Sequence, residues 1–285
     1  MSIILRFFIK RMICSHNEFL WAFVLFLFIL STLSFHPQYM SYQPPHIPVP
    51  PPELASFGGG NFVAVGNEFF GYLVRYAGLR PHERVLDVGC GIGRMAVPLT
   101  TYLSPGSYEG FDVATPAIDW CQRAITPFFP QCHFQHVNVK NGLYNPQGTI
   151  DPHAFVFPYP DASFDLVFLT SVFTHMLEEE TRHYVQEISR VLRPGGRMLA
   201  TFFLENAESK KGVMEQRSAL KFQYPCGSCT TTNPHTPEDA ILYPESLAMS
   251  LCEEQGLRCR APLYGNWSGR TDALSFQDIL IADRI

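Results

Sequence analysis

The sequence predicts an α/β domain: a seven-stranded sheet with helices on both faces and an antiparallel last strand. Three observations predict it. Seven apolar runs of five to eight residues fall between residues 84 and 282, and most are separated by segments in which apolar residues recur at helical spacing. The first run, Arg84-Val85-Leu86-Asp87-Val88, leads into alternating glycines, Gly89-Cys90-Gly91-Ile92-Gly93, and then into a helix-compatible segment. Short connections near the carboxyl end make the last two runs a hairpin, which sets the final strand against the others.

Composition bounds the rest. The net charge of −5 argues against nonspecific binding to nucleic-acid backbones. The eight cysteines (14, 90, 121, 132, 226, 229, 252 and 259) are scattered, several inside expected strands or helices. That is the pattern of small buried apolar residues in a reducing compartment rather than of a disulfide framework.

Four regions follow in order. Residues 1–18 form a basic segment with Arg6, Lys10 and Arg11, and residues 19–35 are an almost unbroken apolar run, FLWAFVLFLFILSTLSF. This run is at the short limit for a membrane-spanning helix, and the basic residues before it would hold the amino terminus in the cytoplasm. Three readings stand: a membrane anchor, a signal peptide, or untranslated sequence if translation begins at Met40. Residues 36–60 are a Pro/Gly-rich linker containing PPHIPVPPP, which neither pairs in a sheet nor continues a helix. Residues 61–285 hold the globular domain.

Within that domain, residues 67–78 (NEFFGYLVRYAG) have helical spacing. Strand 84–88 and the glycine turn lead to a helix at 95–103. Strand 108–112 ends in Asp112, and Thr115-Pro116 supplies an N-cap and first helical residue. Residues 132–139 alternate as a third strand, the turn-rich stretch 142–160 carries His153, and 164–169 is a continuous apolar run suited to a buried parallel strand. A helix opens at Glu178-Glu179-Glu180 and closes at Arg190 and Arg193, with charges that suit its dipole. Pro194-Gly195-Gly196 then turns the chain into strand 197–204. Residues 205–244 are long and polar, the length of a lid or binding loop, and contain Cys226-Gly-Ser-Cys229, read as free thiols rather than half a metal site. Helix 246–255, strand 257–263 and strand 275–282 complete the chain. Between the last two, Trp267 and Arg270 either meet the substrate or brace the hairpin.

Asp87, Gly89, Gly91 and Gly93 fill every fixed position of the motif D-x-G-x-G-x-G, where a dinucleotide fingerprint would have G-x-G-x-x-G. Here the chain resembles the class I S-adenosylmethionine-dependent methyltransferases. The segment Glu187-Ile188-Ser189-Arg190-Val191-Leu192-Arg193-Pro194-Gly195-Gly196 is a second signature of that family, and the resemblance runs from Asn61 to Ile285. It implies a Rossmann-like sheet and S-adenosyl-L-methionine as cofactor. It also implies a cofactor site made of Asp87, Gly89, Cys90, Gly91 and Gly93 in the turn, Asp112 with Val113 at the ribose, Asn138 with Val139 at the adenine, and Thr170 beside the methyl group. Asn138 stands where many relatives carry Asp. Asn or Asp followed by Pro-Pro-aromatic is absent after strand 164–169, and so are acids that would hold magnesium, which disfavours nucleic-acid and protein amino-methyltransferases and catechol-type enzymes. The expectation is methyl transfer to a small-molecule acceptor through an oxygen nucleophile, with His175 as the base, no metal and no nucleic-acid partner. The rivals are a non-catalytic scaffold that keeps the cofactor fold and an NAD(P)-dependent oxidoreductase. The catalytic domain is expected in the cytoplasm, anchored through 19–35 or wholly soluble if translation begins at Met40.

Overall fold

The computed structural model describes residues 49–54, 57 and 59–285. The basic segment and the apolar run at 19–35, with the anchor expected there, lie outside the described residues. Among the described residues no helix is long and apolar enough to cross a membrane.

The strands are β1 Arg84–Val88, β2 Ser107–Asp112, β3 Cys132–His136, β4 Phe164–Leu169, β5 Leu192–Glu205, β6 Tyr224–Cys226, β7 Cys229–Thr231, β8 Ile241–Pro244, β9 Leu257–Cys259 and β10 Asp278–Arg284. The helices are α1 Phe62–Arg75, α2 Ala96–Leu99, α3 Thr115–Ala124, α4 Glu178–Val191, α5 Ala207–Met214 and α6 Glu245–Glu253. Strands β3, β2, β1, β4 and β5 lie side by side and parallel, and β10 runs antiparallel between β5 and β9. This is the expected seven-stranded Rossmann-like core with one antiparallel strand.

Side-chain alternation explains why the sheet is covered on both faces. In β1, Leu86 and Val88 join one apolar cluster and Val85 the other. In β4, Val167 and Leu169 face one way while Leu166 and Phe168 face the other. Helices α4 and α6 close the first face with Val185, Ile188, Ala248 and Leu251, and α1, α2 and α3 close the second with Leu73, Leu99 and Ile118. Each fully buried Leu, Ile or Phe of this kind contributes about 1.5–3 kcal/mol.

Several boundaries differ from the sequence expectation. Helix α1 begins at Phe62, because the Asn61 carboxamide accepts from the Ala64 N–H at 2.9 Å and caps an earlier turn. Helix α2 is one turn only: the Thr100 hydroxyl donates back to the Val97 carbonyl, and the chain continues through turns. Thr115 is the first residue of α3 and Ala114 its cap. Strand β3 stops at His136, since Asn138 turns to pair its carbonyl with the Thr149 and Ile150 N–H groups. Strand β5 begins at Leu192, with a register shift opposite Phe164 and Leu166, and β9 ends at Cys259, with Leu263 bridging Ile279.

The largest difference is at 205–244, which is folded rather than an open loop. Besides β4, strand β5 has two further partners: residues 197–202 pair with β10, and Phe203, Leu204 and Glu205 pair parallel with β8. Strands β7 and β6 extend the sheet beyond β8, so it has ten strands. Cys226 and Cys229 are directly opposite across the β6–β7 hairpin as free thiols. Phe203, Phe222, Leu242 and Trp267 form a separate small core there. Trp267 is fully buried and donates from Nε1 to Asp278 at 2.7 Å, while Arg270 donates to Asn206 at 2.8 Å and stacks on Tyr264. Both residues brace this region.

Two buried polar groups generate predictions. Arg197 makes a bidentate pair with Glu83 at 2.9 and 2.6 Å, and its Nε donates to the Ala77 carbonyl at 2.6 Å; both partners are buried. Removing one partner strands the other charge, so Glu83→Ala should lower unfolding free energy by roughly 3–5 kcal/mol in urea titration. Asp87 is also buried; its Oδ2 accepts from the Tyr108 hydroxyl at 2.8 Å and its Oδ1 has no partner. Burial pushes its carboxyl up to about 8, the Tyr108 hydrogen bond opposes this, and the Asp112 charge adds to it. The folded state therefore holds one more proton than the unfolded chain above the ordinary carboxylate range and below about pH 8. Stability from this group falls as pH rises through that window, by at most about 1.4 kcal/mol per pH unit. Asp87→Asn should flatten the difference in stability between about pH 5 and about pH 7.5; an unchanged slope would refute the shift.

Candidate active site

At the carboxyl ends of β1, β2 and β4 the parallel strands open into a cavity of about 1040 Å³. Open α/β sheets bind ligands at this edge, because the turns leaving the strands present unpaired backbone N–H groups there. Gly89, Cys90, Gly91, Asp112, Val113, Val139, Thr170 and His175 all line this cavity.

The turn after β1 is held from β2. The Gly89 and Cys90 N–H groups donate to the Phe111 carbonyl at 2.9 and 3.0 Å, and the Gly91 N–H donates to Asp112 Oδ2 at 2.8 Å. The other Asp112 oxygen accepts from the Ala114 N–H at 2.8 Å. Burial raises the Asp112 carboxyl above the ordinary carboxylate range, and the backbone N–H bonds pull it back. The backbone uses only part of the carboxylate's acceptor capacity, so room is left for a hydroxyl donor.

The glycines serve different ends. Gly91 has φ +50°, and a Cβ built there would meet no atom within 4 Å, so its absence lets a ligand approach the main chain. Gly93 does not line the cavity: a Cβ there would stand 2.7 Å from Ile125 Cδ1 and 3.0 Å from Cys121 Sγ, so it admits close packing of α3. A Cβ on Gly89 would come within 2.5 Å of Val172 Cγ2, itself a residue of the cavity wall.

Three expected site residues are placed elsewhere. Asp87 lies beneath the turn and Gly93 behind it, neither on the cavity wall. Asn138 is exposed, gives its Nδ2 hydrogens to Thr149 at 3.0 Å and accepts from Asn145 at 3.2 Å; Val139 and Lys140 line the cavity beside it. The early end of β3 turns the Asn138 side chain into the 141–150 loop instead of the cavity.

Beyond β4 the chain passes through Ser171, a non-glycine residue at φ 59° whose N–H donates to the buried Thr201 hydroxyl at 2.7 Å. Such backbone gathers at functional sites. A 3-10 turn, Phe173–His175, follows and sets His175 on the cavity wall. Its Nδ1 lies 2.7 Å from the Glu238 carbonyl. A carbonyl only accepts, so Nδ1 carries the hydrogen and Nε2 of the neutral ring carries the lone pair.

Sequence reasoning missed Arg94, Glu68, Glu180 and Glu238, all on the wall. Arg94 follows the glycine motif directly; burial lowers its pKa, and its hydrogen bond to the Phe57 carbonyl is long, 3.4 Å. Its position next to the motif was the available signal. Glu68 sits on the polar side of α1, and Glu180 caps α4 by accepting from the Leu177 N–H at 2.9 Å. Glu238 arrives from the folded insertion, with no local signal. His153 of the turn-rich stretch 142–160 also reaches the wall, with Nδ1 2.8 Å from Asp151.

Comparison with known proteins agrees with this architecture. Residues 86–200 match the family described as "Methyltransferase domain". The chain is 34% identical over 138 residues to fatty-acid O-methyltransferase of Mycolicibacterium smegmatis, covering 48% of this chain and 42% of that protein. It is 34% identical over 126 residues to tRNA N(3)-cytidine methyltransferase of Gallus gallus, covering 44% of this chain and 31% of that protein. The chain therefore spans less than half the length of both relatives. A solved structure of a SAM-dependent methyltransferase from Methanosarcina mazei superposes with a TM-score of 0.52 at 19% identity, over 75% of this chain and 98% of the other, a likeness of fold. The open face of Gly91 and the spare acceptor capacity of Asp112 fit a ribose-bearing cofactor, S-adenosyl-L-methionine. On the matched domain at residues 86–200 and the sheet order together, this chain is similar to the class I S-adenosylmethionine-dependent methyltransferases.

Proposed function

We propose that the protein methylates a hydroxyl group of a small molecule, with His175 as general base. The observation that carries this reading is that Gly91, Asp112 and His175 share one cavity while His175 has its Nδ1 occupied and its Nε2 free to take a proton.

Asp112 would accept the two ribose hydroxyls, and the bared backbone at Gly91 would receive the cofactor's chain. Val113 and Val139 would flank the base, and the Arg94 guanidinium would meet the cofactor's carboxylate. Thr170 stands at the end of β4 beside the acceptor. The bound cofactor supplies an electrophilic methyl group on a sulfonium, so the protein's task is alignment and proton removal. Alignment of two bound reactants supplies up to about 7–11 kcal/mol in favourable cases, and a positioned base about 10²–10⁴ in rate.

Glu68, Asp151, Glu180 and Glu238 line the same cavity, and among the described residues none is ion-paired with Lys or Arg. A carboxylate or polynucleotide acceptor would bring more negative charge to that wall. With the net charge of −5, this favours a neutral or cationic hydroxyl compound. The reading takes the domain to act in the cytoplasm.

Two variants test it. Asp112→Ala should weaken cofactor binding at least about fivefold, the equivalent of about 1 kcal/mol, by isothermal titration; unchanged affinity removes Asp112 from the ribose site. His175→Gln should cut turnover at least about 100-fold with cofactor affinity intact. The assay is incorporation of label from methyl-labelled cofactor into a host extract. Tight cofactor binding with no labelled product from the wild type would favour the scaffold reading instead.

A further inference from the structure

We infer that the folded insertion at 206–244 belongs to the catalytic apparatus: it fixes the ring tautomer and the position of His175, with Thr231 and Tyr243 as positioning residues. This rests on the reading of His175 as the base.

The insertion holds His175 at two points. At the first, the Glu238 carbonyl takes the Nδ1 hydrogen across 63 residues of sequence. Glu238 lies in a 3-10 turn, Pro237–Asp239, that is itself pinned. The buried Thr231 hydroxyl donates to the Pro237 carbonyl at 2.8 Å, and Asn233 Nδ2 donates to Asp239 Oδ2 at 2.8 Å. At the second point, the fully buried Tyr243 of β8 donates its hydroxyl hydrogen to the Met176 carbonyl at 2.6 Å. Its oxygen lies 2.9 Å from Thr181 Oγ1, and because the tyrosine's one hydrogen is used on Met176, the threonine is the donor. The Tyr243 ring packs edge-on against Phe202, and Phe202 packs against Phe173 of the His175 turn. Strand β8 and the His175 turn thus form one packed, hydrogen-bonded unit.

The chemistry needs this arrangement. A neutral imidazole with a free Nδ1 divides between two tautomers, and only the Nδ1–H form places the lone pair on Nε2. A carbonyl partner selects that form without adding a formal charge next to the ring. The cofactor-side residues Gly91, Asp112 and Val113 hang from β1 and β2 and share none of these bonds. Loosening the insertion should therefore change proton removal and leave cofactor affinity alone.

The test uses the full chain labelled with ¹⁵N-histidine, and variants Thr231→Val, Thr231→Ser and Tyr243→Phe. Long-range ¹H–¹⁵N spectra should show His175 as the Nδ1–H tautomer in the wild type and in Thr231→Ser. In Thr231→Val and Tyr243→Phe the signal should move toward a tautomer mixture. Turnover should fall roughly tenfold, with a displaced acid limb of the pH–rate profile and unchanged cofactor Kd. Two different lesions guard against one variant failing to fold. An Nε2–H tautomer in the wild type, or an unmoved tautomer and pH profile in both folded variants, overturns the proposal. Wild-type turnover in His175→Gln instead refutes the base reading, which the spectra distinguish because they report the ring whether or not it reacts.

Discussion

The hydrogen bond from the Gly91 N–H to Asp112 is the constraint on which the site depends. It ties the turn leaving β1 to the acid that ends β2, so two neighbouring parallel strands present their carboxyl ends as one surface. Parallel pairing of β1 with both β2 and β4 sets those ends level. The register then brings Thr170 and the His175 turn to the same cavity as the glycine turn. With its oxygens committed to Gly91 and Ala114, Asp112 is oriented before any ligand arrives. Such preorganisation leaves less ordering to be done on binding.

Below that surface the protein tolerates polar burial in specific forms. Arg197 and Glu83 satisfy each other and adjoining backbone, whereas Asp87 is only half satisfied and keeps a proton in consequence. Asp278 is the satisfied counterpart at the other end of the sheet. It accepts from the Leu204 and Gly265 N–H groups and from Trp267, yet burial still pushes it up to about 6. These carboxylates join elements distant in sequence, including β5, β10 and the loop between β9 and β10.

The length of β5 allows the core and the insertion to coexist. Its first part completes the seven-stranded core with β10, and its last three paired residues accept β8. A sheet edge that would otherwise end in solvent carries β8, β7 and β6, with Phe203, Phe222 and Trp267 packed beside them. The extension reaches back over the cavity and meets the turn after β4. One continuous sheet therefore brings residues of its first strands and, through Glu238, of its last additions to the same cavity.

Much of this was legible in the sequence. Apolar runs with alternating faces, the D-x-G-x-G-x-G turn and the acid ending strand 108–112 declare themselves within a few residues, because strand pleat, left-handed turns and helix starts are local properties. Val113, Val139 and Thr170, expected at the site from the family resemblance, and His175, expected there from its place past strand 164–169, all line the cavity. Tertiary structure decided the rest. Gly91 and Gly93 are two residues apart with the same motif role on paper, but one faces open space and the other Ile125, which only the packing of α3 determines. Asn138 turned away because its loop found Thr149 and Asn145. The contact between His175 and Glu238 spans 63 residues and ends on a backbone carbonyl, a group every residue carries, so no pattern of side chains announces it.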